Sequence, residues 1–194
     1  MAEDTGGVKD AGQWITAAKA SYTALIDDKH LVTRLYNLVN VPTGVWINEQ
    51  GRIVRPPEVA FIDDRFKNFT GMDASVYVNA VKDGAAKGDK SAYVMSEEQL
   101  RRKVGPADPN IMMAAAEFGL GEQLYKSGHQ SEAIPHFKEA QRLNPQSWNY
   151  KRQAWALSDA KRDYGTTFKD EVDKIGGSKV YYTPPDLPGV KKEE

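Results

Sequence analysis

The side chains that could do chemistry are few and lie far apart along the chain. The sequence contains no cysteine, so this chain offers no thiol nucleophile, no disulfide and no thiolate ligand. Its three histidines, His30, His129 and His136, include no pair at the spacing with which a helix presents two metal ligands. Because structural zinc needs four converging nitrogen or sulfur ligands, we expect neither a metal nor another cofactor.

Two pairs of adjacent carboxylates, Asp27-Asp28 and Asp63-Asp64, belong to the residue types that perform acid–base catalysis. Adjacent aspartates more commonly cap helices or shape loops, and we assign both pairs to such structural roles. The sequence has no glycine loop that would cradle a phosphate and no recognisable serine–histidine–aspartate context. We therefore name no catalytic residue and do not expect this chain to be an enzyme.

The charge balance argues against partners that are recruited by a strong electric field. Lysine and arginine number 26 and aspartate and glutamate 27, for a net charge of −1, so we expect no nucleic-acid and no membrane partner. The small basic clusters at 101–103 and 151–152 fit solvated helix faces better than phosphate sites. No apolar run approaches the roughly 18 residues of a membrane span. The first ten residues do not resemble a signal peptide, and we expect a cytoplasmic protein.

Helical and extended patterns alternate through the first half of the chain. The predicted elements are a helix over 8–19, a buried strand over 22–26, a helix over 30–38, strands over 44–48 and 52–55, and a helix over 72–86. The residues Glu49-Gln50-Gly51 favour a tight turn, so the two strands of the middle should form an antiparallel hairpin. We expect Pro56-Pro57 to end it, because proline cannot donate to a sheet ladder.

The segment from Leu38 to Val54 resembles a known family. It contains an apolar residue before Pro42-Thr43, an apolar strand, a turn with an acidic residue and a glycine, and a second strand. This order resembles the thioredoxin-like superfamily, and within it redoxins of the TlpA and ResA type, over about residues 4–87. The resemblance implies an α/β fold with a partial thioredoxin-like sheet, and a parent family that performs thiol–disulfide exchange.

The same resemblance assigns a role to the loop of Val41, Pro42 and Thr43. It implies that Pro42 is the cis-proline of the fold. In the family this loop lies beside the redox dithiol, and the main chain of the residue before proline, here Val41, pairs with an extended substrate by strand addition. A plain structural turn is the alternative, and the residues leave both open.

The beginning of the chain departs from the family pattern. A complete domain of this family starts with a strand, a helix and a strand, and the dithiol lies at the start of that helix. Here the chain opens on Asp4-Thr5-Gly6-Gly7, which resembles the stretch after the central strand. We therefore expect the active-site portion to be lacking, through truncation or because a partner supplies it. Sheet edges and apolar surface should then be exposed.

The second half resembles one tetratricopeptide repeat over residues 114–147. The residues at the spacing of that repeat are Leu120, Gly121, Leu124, Gly128, Ala133, Phe137, Ala140 and Pro145. We expect Gly121 and Ala133 to let two antiparallel helices approach closely and Gly128 to take the turn between them. Phe137 and Ala140 should face the partner helix, and Pro145 should end the pair.

These patterns divide the chain into four parts. We predict a partial thioredoxin-like domain over 1–88, a linker and connecting helix over 89–109, an all-α tetratricopeptide-like region over 110–176 and a mobile tail over 177–194. The connecting helix should begin at Ser96, which forms a capping-box pattern with Gln99. Within the helical region the expected helices cover 110–127, 131–143, 147–160 and 167–175.

Two functions follow as hypotheses. In the first, the chain is a redoxin-family protein without catalytic cysteines, and therefore without the thiol–disulfide activity of its parent family. In the second, it is a tetratricopeptide-type protein–protein interaction module. Both require a protein or peptide partner, and a second copy of the chain is an open choice. A single repeat lacks the concave groove that about three repeats build, so internal packing, self-association and peptide binding all stay open for the helix pair.

Overall fold

A computed structural model describes residues 1–188 and is mostly helical, with two small two-stranded sheets. In chain order the elements are β1 (Ala2–Glu3), α1 (Val8–Ala18), β2 (Ile26–Asp27), α2 (Leu31–Tyr36), β3 (Thr43–Ile47), β4 (Ile53–Val59), α3 (Lys67–Thr70), α4 (Ala74–Lys87), α5 (Glu97–Val104), α6 (Pro109–Lys126), α7 (Gln130–Leu143), α8 (Trp148–Leu157), α9 (Ala160–Tyr164), α10 (Phe168–Lys174) and α11 (Ser178–Tyr181). Among these residues no helix is both long enough and apolar enough to cross a bilayer.

The chain forms two compact units, and each unit combines two separate stretches of sequence. Unit 1 contains residues 1–39 and 107–168, and unit 2 contains residues 40–106 together with the described residues 169–188. The boundary between Pro106 and Ala107 falls inside the linker that the sequence predicts over 89–109. The predicted domain over 1–88, in contrast, is divided, because its first 39 residues pack with the later helices.

Unit 1 is built on the helix pair of α6 and α7, with α8 packed against it. Its core follows the helical period and contains Ala114, Phe118, Ala133, Phe137, Ala140, Tyr150 and Ala154. The ring of Phe118 stacks on that of Tyr150, with 4.4 Å between centroids and an angle of 19° between planes. The bounds of these three helices confirm the predicted helices to within three residues at each end.

The N-terminal part of unit 1 contains the parallel pair of β1 and β2. The predicted buried strand over 22–26 is wrong, because Tyr22 and Leu25 are exposed and only Ile26 joins β2. The partner strand β1 offers a ladder of only two residues, so there is nothing for a longer strand to pair with. The predicted helices at α1 and α2 are confirmed.

Unit 2 is built on the antiparallel hairpin of β3 and β4, as the sequence predicts. Gly51 takes the turn with a φ of 73°. The expected end at Pro56-Pro57 is wrong, because β4 continues through both prolines to Val59. The register shifts between Gly44 and Trp46, which places the prolines in a bulge of a strand with one neighbour, where fewer ladder donors are needed.

The described residues do not form a single thioredoxin-like sheet over 1–88. The pair of β1 and β2 and the pair of β3 and β4 are two separate sheets. After the hairpin, α4 agrees with the predicted helix over 72–86, and it buries Tyr77 and Ala80. Val76 and Val81 of the same helix are exposed.

The connecting helix and the tail complete unit 2. The capping box at the start of α5 is confirmed, since Ser96 and Gln99 each accept a hydrogen bond from the other's main-chain N–H. The tail is not uniformly loose, because Tyr181, Tyr182 and Leu187 are buried. These apolar side chains find partners within unit 2, which a prediction from composition could not foresee. Residues 189–194 of the predicted mobile tail lie outside the described residues.

Candidate functional site

Two aromatic side chains of unit 2, Trp46 of β3 and Tyr77 of α4, contact each other. The indole N–H of Trp46 donates to the hydroxyl of Tyr77 over 3.0 Å, and the two rings meet edge to face. Two glycines make room for them. A Cβ at Gly44 would lie 2.1 Å from the Tyr77 hydroxyl, and one at Gly84 would lie 2.6 Å from the Trp46 ring. Burial raises the pKa of Tyr77 above its ordinary value, so its hydroxyl stays neutral.

Beside these rings lies a buried ion pair on β4. Arg55 donates from Nε and Nη2 to one carboxylate oxygen of Glu58, over 2.8 and 2.7 Å. Its Nη1 donates to the main-chain carbonyl of Tyr93 over 2.6 Å, and its guanidinium lies 5.6 Å from the centre of the Trp46 ring. A buried pair of this kind is stable only when its remaining donors and acceptors are also satisfied.

The remaining groups of the pair bind the main chain of Asp186. Arg55 Nη2 donates to the Asp186 carbonyl over 2.7 Å, and the Asp186 N–H donates to Glu58 Oε1 over 3.2 Å. The two side chains therefore hold both main-chain groups of one residue, as a neighbouring strand would do. The side chain of Asp186 is held separately, because its carboxylate lies 2.8 Å from Lys103 Nζ.

Leu187, the residue after Asp186, is buried among apolar side chains. Leu187 forms a buried cluster with Tyr77 and Ala80 of α4. Three partly buried residues pack against this cluster, namely Trp46, Ala60 and Tyr93. Burying a leucine side chain contributes about 2 kcal/mol. Asp186 is therefore held by an ion pair, and Leu187, which follows it, by apolar contacts.

The segment from Tyr181 to Leu187 is also held at its other end, at Tyr181 and Tyr182. Asn40 donates from Nδ2 to the Tyr181 carbonyl over 3.3 Å and accepts from the Tyr181 hydroxyl over 3.0 Å. The hydroxyl of Tyr182 donates to the Val41 carbonyl over 3.0 Å. The ring of Tyr182 also packs edge to face on Phe61, with 5.1 Å between centroids. We call these contacts, with those of Asp186 and Leu187, the segment site.

The loop that the resemblance singles out is part of the segment site. The peptide bond between Val41 and Pro42 is cis. The Val41 N–H donates to Asn40 Oδ1 and the Pro42 carbonyl accepts from Ala60, while the Thr43 hydroxyl donates to the Asn40 carbonyl. Because Tyr182 takes the Val41 carbonyl, the chain itself occupies the main-chain groups that strand addition would need. Substrate binding by this loop stays a prediction.

The helix pair of unit 1 shows the packing that the repeat-like spacing predicts at most positions. A Cβ at Gly121 would lie 2.7 Å from the Phe137 ring. Ala133, Phe137 and Ala140 are buried, and Leu124 packs against them. Gly128 takes the turn with a φ of 86°, and Pro145 directly follows the residue that caps α7.

Leu120 does not take the packing role that its place in the repeat-like pattern predicts. Its side chain is 46% exposed. The buried face of α6 runs through Ala114, Phe118 and Gly121, and at 100° per residue Leu120 points away from the middle of that face.

Unit 1 also contains a buried polar cluster that sequence reasoning missed. Thr5 donates to Glu122 Oε1 over 2.7 Å, and its hydroxyl lies 3.2 Å from His30 Nε2. Burial lowers the pKa of His30 to about 4 and raises that of Glu122, so the imidazole is uncharged at neutral pH. These residue types could transfer protons, but all three are at most 7% exposed, which leaves no route for a substrate. The cluster joins the N-terminal segment to α6. Thr5 and Glu122 are 117 residues apart, so no local sequence pattern predicts their contact.

Three of the four adjacent aspartates, Asp27, Asp63 and Asp64, take structural roles, as predicted. Asp27 accepts hydrogen bonds from the first main-chain N–H groups of α2. Asp63 accepts from the N–H of Arg65, and Asp64 from the N–H of Ala74 at the start of α4. The carboxylates therefore satisfy helix donors that would otherwise lack partners.

Comparison with known proteins adds no relative to this description. No protein-family model matches the sequence, and neither a curated protein nor a solved structure matches it.

Proposed function

We propose that this chain is a redox-inert, protein-binding member of the thioredoxin-like superfamily, and that unit 2 binds an extended segment of a partner protein. The observation that carries the proposal is the pair of Arg55 and Glu58, which holds the N–H and the C=O of Asp186. Groups aimed at a main chain recognise polypeptide in general, and the neighbouring seats for side chains then select among sequences.

Two further observations support the thioredoxin-like part of the proposal. The order of α2, the loop at Pro42, β3, β4 and α4 agrees with the order that the resemblance implies. The sequence holds no cysteine, so this chain cannot perform the thiol–disulfide exchange of that superfamily. The activity that we propose is therefore binding without redox chemistry. In an insulin-reduction assay the purified chain should not exceed the blank, and turnover above the blank would contradict redox inertness.

Binding is tested by titrating a labelled peptide with the sequence of residues 179–188 into the full chain. The variant Tyr182→Ala/Leu187→Ala, in which the chain's own segment is held less tightly, should bind this peptide saturably in fluorescence anisotropy. Adding Lys103→Glu should weaken binding about tenfold, because a carboxylate would then face the aspartate of the peptide. Arg101→Glu is the matched control, since Arg101 lies on the same helix and bonds to Glu97. Absence of saturable binding would overturn the proposal.

A second candidate, the protein–protein interaction module, is favoured by one face of α6. Met112, Met113, Ala116 and Leu120 fall within an arc of about 100°, and all four are exposed. The two methionines are 67% and 54% exposed. Methionine is adaptable and recurs on surfaces that bind apolar side chains of other proteins. This face would bind an apolar surface, and a second copy of the chain is the simplest such partner to test.

The test for this candidate is the mass of the chain in sedimentation equilibrium as a function of concentration. Self-association through α6 predicts a mass that rises with concentration and falls to that of the monomer in Leu120→Glu. Phe137 is unsuitable for this purpose, because it is 1% exposed and a charge there would unfold the helix pair. A monomeric mass at all concentrations for the unchanged chain would exclude self-association through this face.

A further inference from the structure

The segment that occupies unit 2 has the features of a bound peptide. It is held at two anchors, Tyr181-Tyr182 and Asp186-Leu187, whereas Thr183 and Pro184 between them are exposed. None of its residues from Tyr182 to Pro188 lies in a helix or strand. Its place in the unit is therefore fixed by side-chain contacts and by the hydrogen bonds of Asp186, and not by a ladder shared with a neighbouring strand.

We infer that the segment site selects partner segments of the pattern tyrosine–tyrosine, a spacer with two prolines, aspartate–leucine, and that residues 181–187 compete for the site within the same chain. The inference rests on the proposed function and names the partner chemistry for the same site. Each anchor residue of the pattern corresponds to a contact. Asn40 and the Val41 carbonyl bind the hydroxyls, Lys103 binds the acid, and α4 seats the leucine.

The two prolines suit the spacer for a physical reason. Proline has no main-chain N–H, so the spacer carries fewer donors that need a partner, and the Pro185 carbonyl accepts from the Leu187 N–H over 2.9 Å. It also favours the extended polyproline conformation, which spans about 3.1 Å per residue. A segment that is already extended loses less entropy on binding, and this preorganisation strengthens binding between anchors that are themselves small.

Two glycines connect the segment to the preceding helix. Gly176 and Gly177 precede α11 with φ values of 103° and 97°, a region that glycine adopts without strain and other residues rarely adopt. Beyond this pair, α11 has four residues. A segment tethered in this way has an effective concentration in the millimolar range, so a partner peptide of the same pattern must overcome it.

The test uses the full chain and the labelled peptide of residues 179–188. We expect the variant Tyr182→Ala/Leu187→Ala to bind it at least about tenfold more tightly than the unchanged chain, because the competing segment is weakened. Thr183→Ala is the matched control, since this side chain is exposed, and it should bind as the unchanged chain does. A peptide with lysine and alanine in place of its aspartate and leucine should lose at least about tenfold in affinity for the double variant.

A second measurement needs no substitution. Saturating peptide should speed hydrogen exchange at residues 178–188 of the unchanged chain and leave the amides of α5 as they were. Saturable binding with equal affinity for the unchanged chain and the double variant would overturn competition and leave the proposed function standing. Equal binding of the altered peptide would overturn the pattern. Failure of both chains to bind would overturn the proposed function as well, and a doubled mass of the unchanged chain would show exchange of the segment between two copies instead.

Discussion

Gly121 lies so close to Phe137 that a Cβ added to the glycine would sit 2.7 Å from two carbons of the ring. The ring is fully buried among the core residues of α6, α7 and α8, so it cannot move aside without opening the core. We predict that Gly121→Ala lowers the free energy of unfolding of unit 1 by about 2 kcal/mol, as overpacking of a core does. Hydrogen exchange of the most protected amides of α6 and α7 measures this change.

Gly119→Ala, two residues earlier on the same helix, is the control. Its added Cβ would meet only the end of the Arg34 side chain, at 3.0 Å, and a flexible side chain can shift. Since alanine is favoured over glycine inside a helix by up to about 1 kcal/mol, this variant should be as stable as the unchanged chain or slightly more so. A loss equal to that of Gly121→Ala would show that the contact with Phe137 is not the cause.

The carboxyl group of Glu3 gives unit 1 a dependence on pH. Burial raises its pKa from 4.5 to about 7, although a hydrogen bond from Thr33 acts in the other direction. The folded state thus retains a proton that the unfolded chain releases, so the stability due to this group is complete below pH 4.5 and is lost as the pH rises to about 7. Glu3→Gln cannot ionise and should escape this loss.

We therefore predict that Glu3→Gln gains about 2 kcal/mol relative to the unchanged chain between pH 4.5 and pH 7. His30 titrates in an overlapping range, but it is present in both proteins and cancels in the difference. Urea unfolding at a series of pH values gives the two free energies. A difference that does not change with pH would contradict the raised pKa.

The parts of the fold that the sequence predicts well depend on neighbouring residues. The turn at Gly128 and the capping box at Ser96 each follow from residue types within one or two helical turns. The same holds for the hairpin around Gly51. In each case the pattern that forms the element lies within the element, so a single sequence is enough to read it.

The segment site could not be read in this way. Arg55 and Asp186 are 131 residues apart in sequence, and nothing near either residue indicates the other. The sequence does not indicate that β4 continues through Pro56-Pro57, because the bulge that tolerates these prolines depends on how β4 pairs with β3. The separation of the two sheets is likewise a long-range result, since it depends on which stretches of the chain pack together and not on the pattern of any one strand.

The capping box of α5 gives a local prediction. The Ser96 hydroxyl accepts from the Gln99 N–H, and Ser96→Ala removes this acceptor from a helix with no buried residue to stabilise it. We expect a loss of about 1 kcal/mol, seen as faster hydrogen exchange of the α5 amides. Ser96→Asp retains a cap and should exchange as the unchanged chain does. Equal exchange in Ser96→Ala would mean that contacts with β4, and not the cap, hold the helix.

The buried pair of Arg55 and Glu58 gives the largest expected loss. Glu58→Gln removes the charge that balances a guanidinium with a side chain only 2% exposed, and an uncompensated buried charge costs about 3 kcal/mol. Adding Arg55→Met to Glu58→Gln removes the unpaired charge itself. The double variant should therefore be less destabilised than the sum of the two single variants, which is the mark of coupled residues. Hydrogen exchange of the α4 amides reports the stability of unit 2 in all three proteins, and strictly additive losses would show that the ion pair does not act as a unit.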